Sequence, residues 1–399
     1  MKTIIILLFI FLSNIDCYPQ WSQKADFAGS SNRSMAVGFS IGNKGYVGTG
    51  SESVFCVPIS CEKDYNDFWE YDPTKNSWTR KAFFGGETRI QAVGFSIGDK
   101  GYIGTGGRSG YKKDFWEYNP ANDTWSRKAD FPGYGRWAAV GFSIGNKGYI
   151  GLGLNGTTNF IDFWEYDPLT DVWTKKADFP GIARSGVVFF SIGNKGYVGL
   201  GLSAVQLNDF WEYDPVSNTW KQIADFPGSS RQGAKGFSIG SKGYIVAGHW
   251  NSYLKDLWQW ESNSNTWLQK EDFGGSGRIH AIGFSIDSKA YFGTGNISSG
   301  YKSDFWEYNS GIISGSNLIE NENTLKIYPN PATNKITVNS PEKSILEITD
   351  INGQTIETFY QNDSNMTIDI SDYHGGIYFV KVTTKEKIIV QKIIKTGNQ

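Results

Sequence analysis

The side chains best suited to acid–base chemistry are few and lie far apart along the chain. The sequence contains only three histidines, His249, His280 and His374. An imidazole titrates near neutral pH, so His249 and His280 beside a cation such as Arg278 could move protons to and from a substrate. Glu52 is a further candidate acid or base. These residues, without His374, form the catalytic hypothesis, and we expect no metal or other cofactor because no metal-ligand spacing is visible.

Arginine recurs at regular spacing and is the second candidate for chemistry. Each copy lies five residues before a Gly-Phe-Ser phrase or its equivalent: Arg33, Arg89, Arg136, Arg184, Arg231 and Arg278. A guanidinium group binds a carboxylate or sulfate through two parallel hydrogen bonds, so a ring of six could clamp an anionic ligand. Alternatively, each arginine pairs with a carboxylate of its own repeat. The partners expected for that pairing are Glu70, Glu117, Glu165, Glu212 and Glu307.

The elements that must position these residues are repeated. Three phrases recur together: GFSIGNKGYVGTG, DFWEYDP and W-x-x-K-A-D-F. The tryptophans that open the third phrase lie 57, 47, 48, 47 and 47 residues apart, from Trp21 to Trp267. Each period holds four strand-like segments separated by Gly-rich or Asp-Pro turns. A lone four-stranded sheet with two apolar faces cannot bury itself, whereas six such sheets around an axis can.

The pattern resembles the kelch repeat over about residues 21–308. The shared features are a glycine-ended second strand, a Tyr-Asp pair closing the third and a tryptophan opening the fourth. The resemblance implies an all-β fold with a six-bladed kelch-type β-propeller at residues 18–308. Gly48-Thr49-Gly50 departs from the usual Gly-Gly pair. Because the repeats start with a fourth-strand phrase and end after a third-strand phrase, we predict that residues 21–27 complete the last blade.

The N terminus and the cysteines indicate export. Lys2 precedes an apolar run over residues 4–12, which is typical of a signal peptide, here residues 1–17. Besides Cys17, the chain has only Cys56 and Cys61. In an oxidising compartment these two are expected to form a disulfide, and two free thiols are the alternative.

The C-terminal region reads as a separate unit. A Ser/Asn-rich linker at residues 309–324 precedes short strand-like runs, which predict a small β-sandwich at residues 325–399. The phrases IYPNPATNKITV, ITDINGQTIE and DISDYHGGIYFVKV resemble the C-terminal sorting domain of the Bacteroidetes type IX secretion system. The resemblance implies that residues 325–399 bind the type IX machinery, and that the protein is released or held at the cell surface.

Ligand contacts are expected where the repeats diverge. The face with the loops between second and third strands and the loops that join blades differs among the copies, whereas the turns between first and second and between third and fourth strands scarcely vary. Variable loops on a rigid frame commonly bind ligands. Several aromatic residues here are absent from the repeat pattern: Trp137, Trp250, Tyr111, Tyr134, Tyr301, Phe160 and Tyr253. Exposed aromatic rings can stack on the apolar faces of sugars, or they can simply anchor the loops.

Two functions therefore remain open. The first is a secreted or surface-bound protein that binds a glycan or another protein through the variable loops. The second is a carbohydrate-active enzyme, because the kelch resemblance includes a sialic-acid mutarotase. A net charge of −2 argues against nucleic-acid binding. After the N-terminal run, no apolar segment is long enough to predict a membrane span.

Overall fold

Each repeat folds into one four-stranded antiparallel sheet, here called a blade. The computed structural model describes residues 20–29, 32–55, 60–108, 110–310, 326–339, 344–350, 354–361, 363, 365–383 and 388–396. The strands of blades 1 to 3, from the axis outwards, are Val37–Ile41, Lys44–Gly48, Phe68–Asp72 and Ser77–Arg80; Val93–Ile97, Lys100–Gly104, Phe115–Asn119 and Thr124–Lys128; and Val140–Ile144, Lys147–Gly151, Phe163–Asp167 and Val172–Lys175.

Blades 4 to 6 repeat this order. Their strands are Val188–Ile192, Lys195–Gly199, Phe210–Asp214 and Thr219–Ile223; Lys235–Ile239, Lys242–Val246, Leu257–Glu261 and Thr266–Lys270; and Ile282–Ile286, Lys289–Gly293, Phe305–Asn309 and Trp21–Gln23. Short hairpins extend four of the loops between second and third strands: Ser51–Phe55 with Ser60–Asp64, Leu154–Asn155 with Thr158–Asn159, His249–Trp250 with Ser252–Tyr253, and Asn296–Ile297 with Gly300–Tyr301.

The N-terminal strand closes the ring. Trp21 pairs with Tyr308 and Gln23 pairs with Trp306. The prediction that the N-terminal segment completes the last blade is therefore confirmed. The first strand of blade 1 also contacts the first strand of blade 6, and every other first strand contacts its two neighbours. The six sheets thus form a closed β-propeller, in which the first strands are short inner edges gathered around the axis.

Aromatic side chains fill the wedges between blades. Tyr71 of blade 1 is fully buried, and its ring lies 5.5 Å from Tyr291 and 4.9 Å from Phe305 of blade 6, measured between centroids. Phe68, on the opposite face of the same sheet, packs at 4.9 Å against Tyr118 of blade 2. Such tilted and edge-to-face pairs contribute about 0.5–1.5 kcal/mol each beyond the burial of their area. The alternation of Phe and Tyr in DFWEYDP therefore joins each blade to both neighbours.

The polar residues of DFWEYDP are also occupied by the frame. In blade 1, the Tyr46 hydroxyl donates to Glu70 at 2.8 Å and the Tyr71 hydroxyl donates to Asn76 at 2.8 Å. Asp72 accepts from the backbone N–H of Thr74 at 3.0 Å, which closes the turn after the third strand. Repetition of this phrase is accordingly a packing and hydrogen-bonding device.

The tail is a second compact unit. Backbone contacts divide the chain into Met1–Ile312 and Ile313–Gln399. The tail has a three-stranded sheet of Lys326–Tyr328, Lys335–Asn339 and Asn365–Asp369, and a four-stranded sheet of Thr355–Gln361, Ser344–Thr349, Gly376–Thr383 and Ile388–Lys395. Side chains from both sheets share one core, including Ile336, Val338, Leu346, Ile348 and Val380. Two sheets around one core are the β-sandwich that the sequence predicts.

Two sequence predictions, the signal peptide and the disulfide between Cys56 and Cys61, fall on parts of the chain for which less can be said. The signal peptide at residues 1–17 and Cys56 lie outside the described residues, as does the side chain of Cys61. Among the described residues, no helix is long and apolar enough to cross a membrane.

Candidate functional site

The variable loops and the segments that follow the six arginines lie at the same end of the propeller. Short backbone pairings join them: Ser34 with Ser51, Trp137 with Leu154, Ser185 with Leu202, Gln232 with His249, and Ile279 with Asn296. In each case the first partner follows an arginine and the second opens a variable loop. This end is called the loop face below.

The arginines lie beneath the loop face and not on it. Each of the six side chains is at most 1% exposed. Arg89 shows the common arrangement: its two terminal nitrogens donate to Asp114 at 2.8 and 2.7 Å, and one of them also donates to the carbonyl of Thr105 at 3.0 Å. The other pairs are Arg33 with Asp67, Arg136 with Asp162, Arg184 with Asp209, Arg231 with Asp256 and Arg278 with Asp304.

This arrangement corrects the pairing expected from the sequence. The carboxylate is the aspartate that opens DFWEYDP, and the predicted glutamate partners, from Glu70 to Glu307, are wrong. The reason is their position: the aspartate precedes the third strand at the loop end, where the arginine lies, whereas the glutamate lies mid-strand. Glu117, for example, accepts a hydrogen bond from Tyr102 at 2.6 Å. The buried guanidinium groups are part of the frame, and their surface is not offered to a ligand.

The arginine–aspartate pairs change the acidity of the buried carboxyl groups. Burial alone would raise the pKa of Asp209, but the hydrogen bonds from Arg184 and Trp211 and the charge of Arg184 outweigh it, so the pKa lies below its usual range. The same balance lowers the pKa of Asp114, Asp256 and Asp304. These carboxylates remain ionised at neutral pH, and each fastens the segment before a first strand to the start of the third strand of the same blade.

The four catalytic candidates are not assembled into one site. Arg278 is held by Asp304, with both nitrogen–oxygen distances at 2.7 Å. Glu52 accepts a hydrogen bond from Tyr65 in the hairpin of blade 1. His249 packs against Tyr253 in the hairpin of blade 5, with ring centroids 5.0 Å apart. Of the four, only His280 lines the cavity on the propeller axis. Among the described residues, no group of three or more His, Cys, Asp or Glu is placed to hold a metal ion.

A ring of backbone hydrogen bonds surrounds the axis near the loop face. The residue two positions after each arginine has a positive φ of 50–63°, and its N–H donates to the carbonyl of the equivalent residue in the preceding blade at 2.9–3.2 Å. The six members are Met35, Gln91, Ala138, Gly186, Gly233 and His280. The ring fixes these positions, and it surrounds a cavity of about 110 Å³ whose walls they line.

Two residues of this cavity escaped the sequence analysis. Lys235 stands where the other blades carry Val or Ile, and Phe189 stands where they carry Gly. The signal was available, because both break the repeat pattern. Burial lowers the pKa of Lys235 to about 8. Burial, with a smaller contribution from the charge of His249, lowers the pKa of His280 to about 4, so His280 is neutral at pH 7.

The predicted aromatic residues fall into different places on the loop face. Tyr134 is 74% exposed, and its ring stacks on Phe160 at 5.8 Å with an interplanar angle of 14°. Tyr111 meets Trp137 edge to face at 5.6 Å. Backbone hydrogen bonds from Arg136 to Lys112 and from Trp137 to Leu154 bring the three segments together. We call Tyr111, Tyr134, Trp137 and Phe160 the aromatic patch; it lies on blades 2 and 3.

Trp250 and Tyr301 lie elsewhere. Trp250 is 42% exposed on the hairpin of blade 5. The Tyr301 hydroxyl of blade 6 donates to Glu62 of blade 1 at 2.7 Å, and Arg108 of blade 2 also binds Glu62. Burial and this hydrogen bond raise the pKa of Tyr301 to about 12. Tyr301 therefore joins loops to one another, as the packing alternative predicted for this class of residue.

A groove of about 470 Å³ runs beside Tyr134. Its lining includes Lys113, Asp162, Trp164 and Lys175. Binding sites of a few hundred Å³ that combine aromatic surface with a few polar groups are typical for small ligands and sugar units. The loop face thus offers an aromatic surface with charged groups at its side.

Comparison with known proteins supports the folds assigned to the propeller and to the tail. Residues 326–396 match the family model described as the secretion system C-terminal sorting domain. The tail is a type IX sorting domain. It directs this protein to the cell surface or to the extracellular medium.

The propeller also has a structural neighbour. A solved structure described as "Structure of YjhT" is similar to this chain with a TM-score of 0.58 and 14% sequence identity, covering 85% of this chain and 99% of the other. At this identity the likeness shows the fold alone, which is the β-propeller. No curated protein matches the sequence.

Proposed function

We propose that this protein is a kelch-type propeller that binds a glycan through the aromatic patch after export by its sorting domain. The observation that carries the proposal is the stack of Tyr134 on Phe160. The guanidinium of Arg136 lies 4.2 Å from the centroid of Phe160, so the stack continues from the buried frame to the surface. Tyr134 is its outermost layer.

Such a stack is well suited to a sugar ring. A sugar presents an apolar C–H face that packs on an aromatic ring, and its hydroxyls require polar groups at the edge. Lys113, Asp162 and Lys175 line the adjacent groove and can supply them. Because Arg136 and Phe160 hold Tyr134 in place, little side-chain freedom is lost on binding. A protein ligand is the other outcome that the same surface permits.

The enzymatic hypothesis is less well supported. Of its four candidate residues, only His280 lines the axial cavity, and Arg278 is occupied by Asp304. The binding interpretation requires only the surface just described.

A glycan-array screen of the purified protein tests the proposal. We expect binding to a subset of glycans, and Tyr134→Ala should weaken the Kd about tenfold, equivalent to roughly 1.4 kcal/mol of lost stacking. Tyr360→Ala in the tail is the matched control, because Tyr360 is 73% exposed and should have no effect. An array without binding, or binding that Tyr134→Ala leaves unchanged, contradicts the proposal.

A further inference from the structure

The cavity on the propeller axis contains a cation without a counter-charge. Lys235 opens the first strand of blade 5 and lines the cavity. Within the part of the chain that the structure describes, no carboxylate oxygen lies within 4 Å of its ammonium nitrogen. The ammonium nitrogen lies 5.3 Å from the centroid of the Phe189 ring. The side chain is half-buried and burial lowers the pKa of its ammonium group, so an anion that enters the cavity would stabilise the charged form.

The other blades show that this lysine is not required for packing. Their first strands begin with an apolar residue: Val37, Val93, Val140, Val188 and Ile282. Lys235 is the only departure among the six. The equivalent positions of the two neighbouring blades, Val188 and Ile282, are therefore uncharged. His280 is the other titratable residue that lines the cavity.

Phe189 forms one boundary of the cavity. The other blades have glycine at this position, and only Phe189 places a large side chain there. It stacks on Phe142 with ring centroids 6.2 Å apart. Phe189 lines both this cavity and the opening at the opposite end of the channel, so it lies between the two. The space near the loop face is thus bounded by Phe189 on the side of the channel.

The neutral polar groups of the cavity can complete an anion site. The side-chain nitrogen of Gln91 lies 3.5 Å from Nε2 of His280. Nδ1 of His280 is buried, and no hydrogen-bond partner for it is found among the described residues. An amide N–H, an imidazole N–H and an ammonium group all donate to carboxylate oxygens. One cation with two neutral donors matches a single negative charge better than a phosphate dianion.

We propose that the axial cavity binds a carboxylate group, with Lys235 as its counter-ion and with Gln91 and His280 as hydrogen-bonding groups. The cavity volume of about 110 Å³ is a few times the ~30 Å³ of one water molecule in the liquid. It therefore admits a small acid, or the carboxylate end of a larger ligand such as a uronate. This site is separate from the aromatic patch, and neither proposal depends on the other.

Calorimetric titration of the full protein with acetate, glucuronate and acetamide tests this site. We expect at least one of the two carboxylates to bind, and the neutral acetamide to bind at least tenfold more weakly. Binding of acetate identifies a free small acid as sufficient, and binding of glucuronate alone indicates that the carboxylate enters on a sugar. The affinity should fall as the pH rises above about 8, because Lys235 then loses its proton.

Lys235→Val is the decisive variant, since it introduces the residue that four other blades carry and should preserve the fold. It should weaken carboxylate binding at least tenfold, whereas Lys221→Val on the outer strand of blade 4 should not. Lys235→Met provides a second variant of similar length. Absence of binding by both carboxylates, equal binding of acetamide, or unchanged binding by the folded Lys235 variants overturns the proposal.

Discussion

Replacing Arg184 by methionine should lower the free energy of unfolding of the propeller by about 3 kcal/mol. The side chain is fully buried, and it donates to both carboxylate oxygens of Asp209 and to the carbonyls of Leu200 and Ile182. Removing one partner of a buried ion pair typically costs about 3–5 kcal/mol, because the other charge stays buried without compensation. Asp209 keeps the hydrogen bond from Trp211 and is one-fifth exposed, so the lower end of that range applies.

Urea unfolding followed by tryptophan fluorescence measures this effect in the intact protein. All 15 tryptophans lie between residues 21 and 306, so the signal reports on the propeller and not on the tail. Arg127→Met is the matched control. Arg127 also pairs with an aspartate, Asp130, at 3.0 Å, but its side chain is 59% exposed. An exposed pair contributes about 0–1 kcal/mol.

The pH dependence gives an independent test of the same pair. The pKa of Asp209 is lowered in the folded protein, so its contribution to stability is complete above the unfolded pKa of about 3.9 and is lost as the pH falls towards the folded pKa. The difference between the original protein and Arg184→Met should therefore shrink below about pH 4. If Arg184→Met costs no more than Arg127→Met at neutral pH, the structural role of these arginines is refuted. Loss of ligand binding with unchanged stability would favour the anion-clamp hypothesis.

Two further predictions concern blade closure and export. In urea unfolding, Trp78→Phe should cost about 1 kcal/mol more of the free energy of unfolding than Trp21→Phe. The reason is that the indole nitrogen of Trp78 donates to the carbonyl of Ala25 at 3.0 Å, whereas the buried indole nitrogen of Trp21 has no hydrogen-bond partner among the described residues. Equal costs would contradict this assignment. Deleting residues 325–399 should leave the propeller in the periplasm, as measured by fractionation, because the sorting domain is then absent. Normal release of the truncated protein would show that export does not require the tail.

Much of the fold could be predicted from the sequence. The near-constant spacing of Trp21, Trp78 and the later tryptophans of the repeat determines the number of blades. The fourth-strand phrase at the start of the repeats determines how the ring closes. These features are local or periodic, so each copy repeats the evidence. The tail could also be predicted, because the phrases that resemble a sorting domain follow one another in order along the chain.

The site depended on contacts that the sequence does not order. Whether Arg89 binds Glu117 or Asp114 is decided by which carboxylate lies at the loop end of the strand. The separation of Trp250 from the aromatic patch likewise depends on which blades carry the two segments.

The sequence alone determined the closed, six-fold frame, because the same packing problem is solved in every repeat. Only the tertiary structure decided that Gln91, Lys235 and His280, from three different blades, line one cavity beside Phe189. The physical reason is closure of the ring: it brings equivalent positions from distant repeats to a common axis, where a substitution in one blade acquires neighbours from all the others.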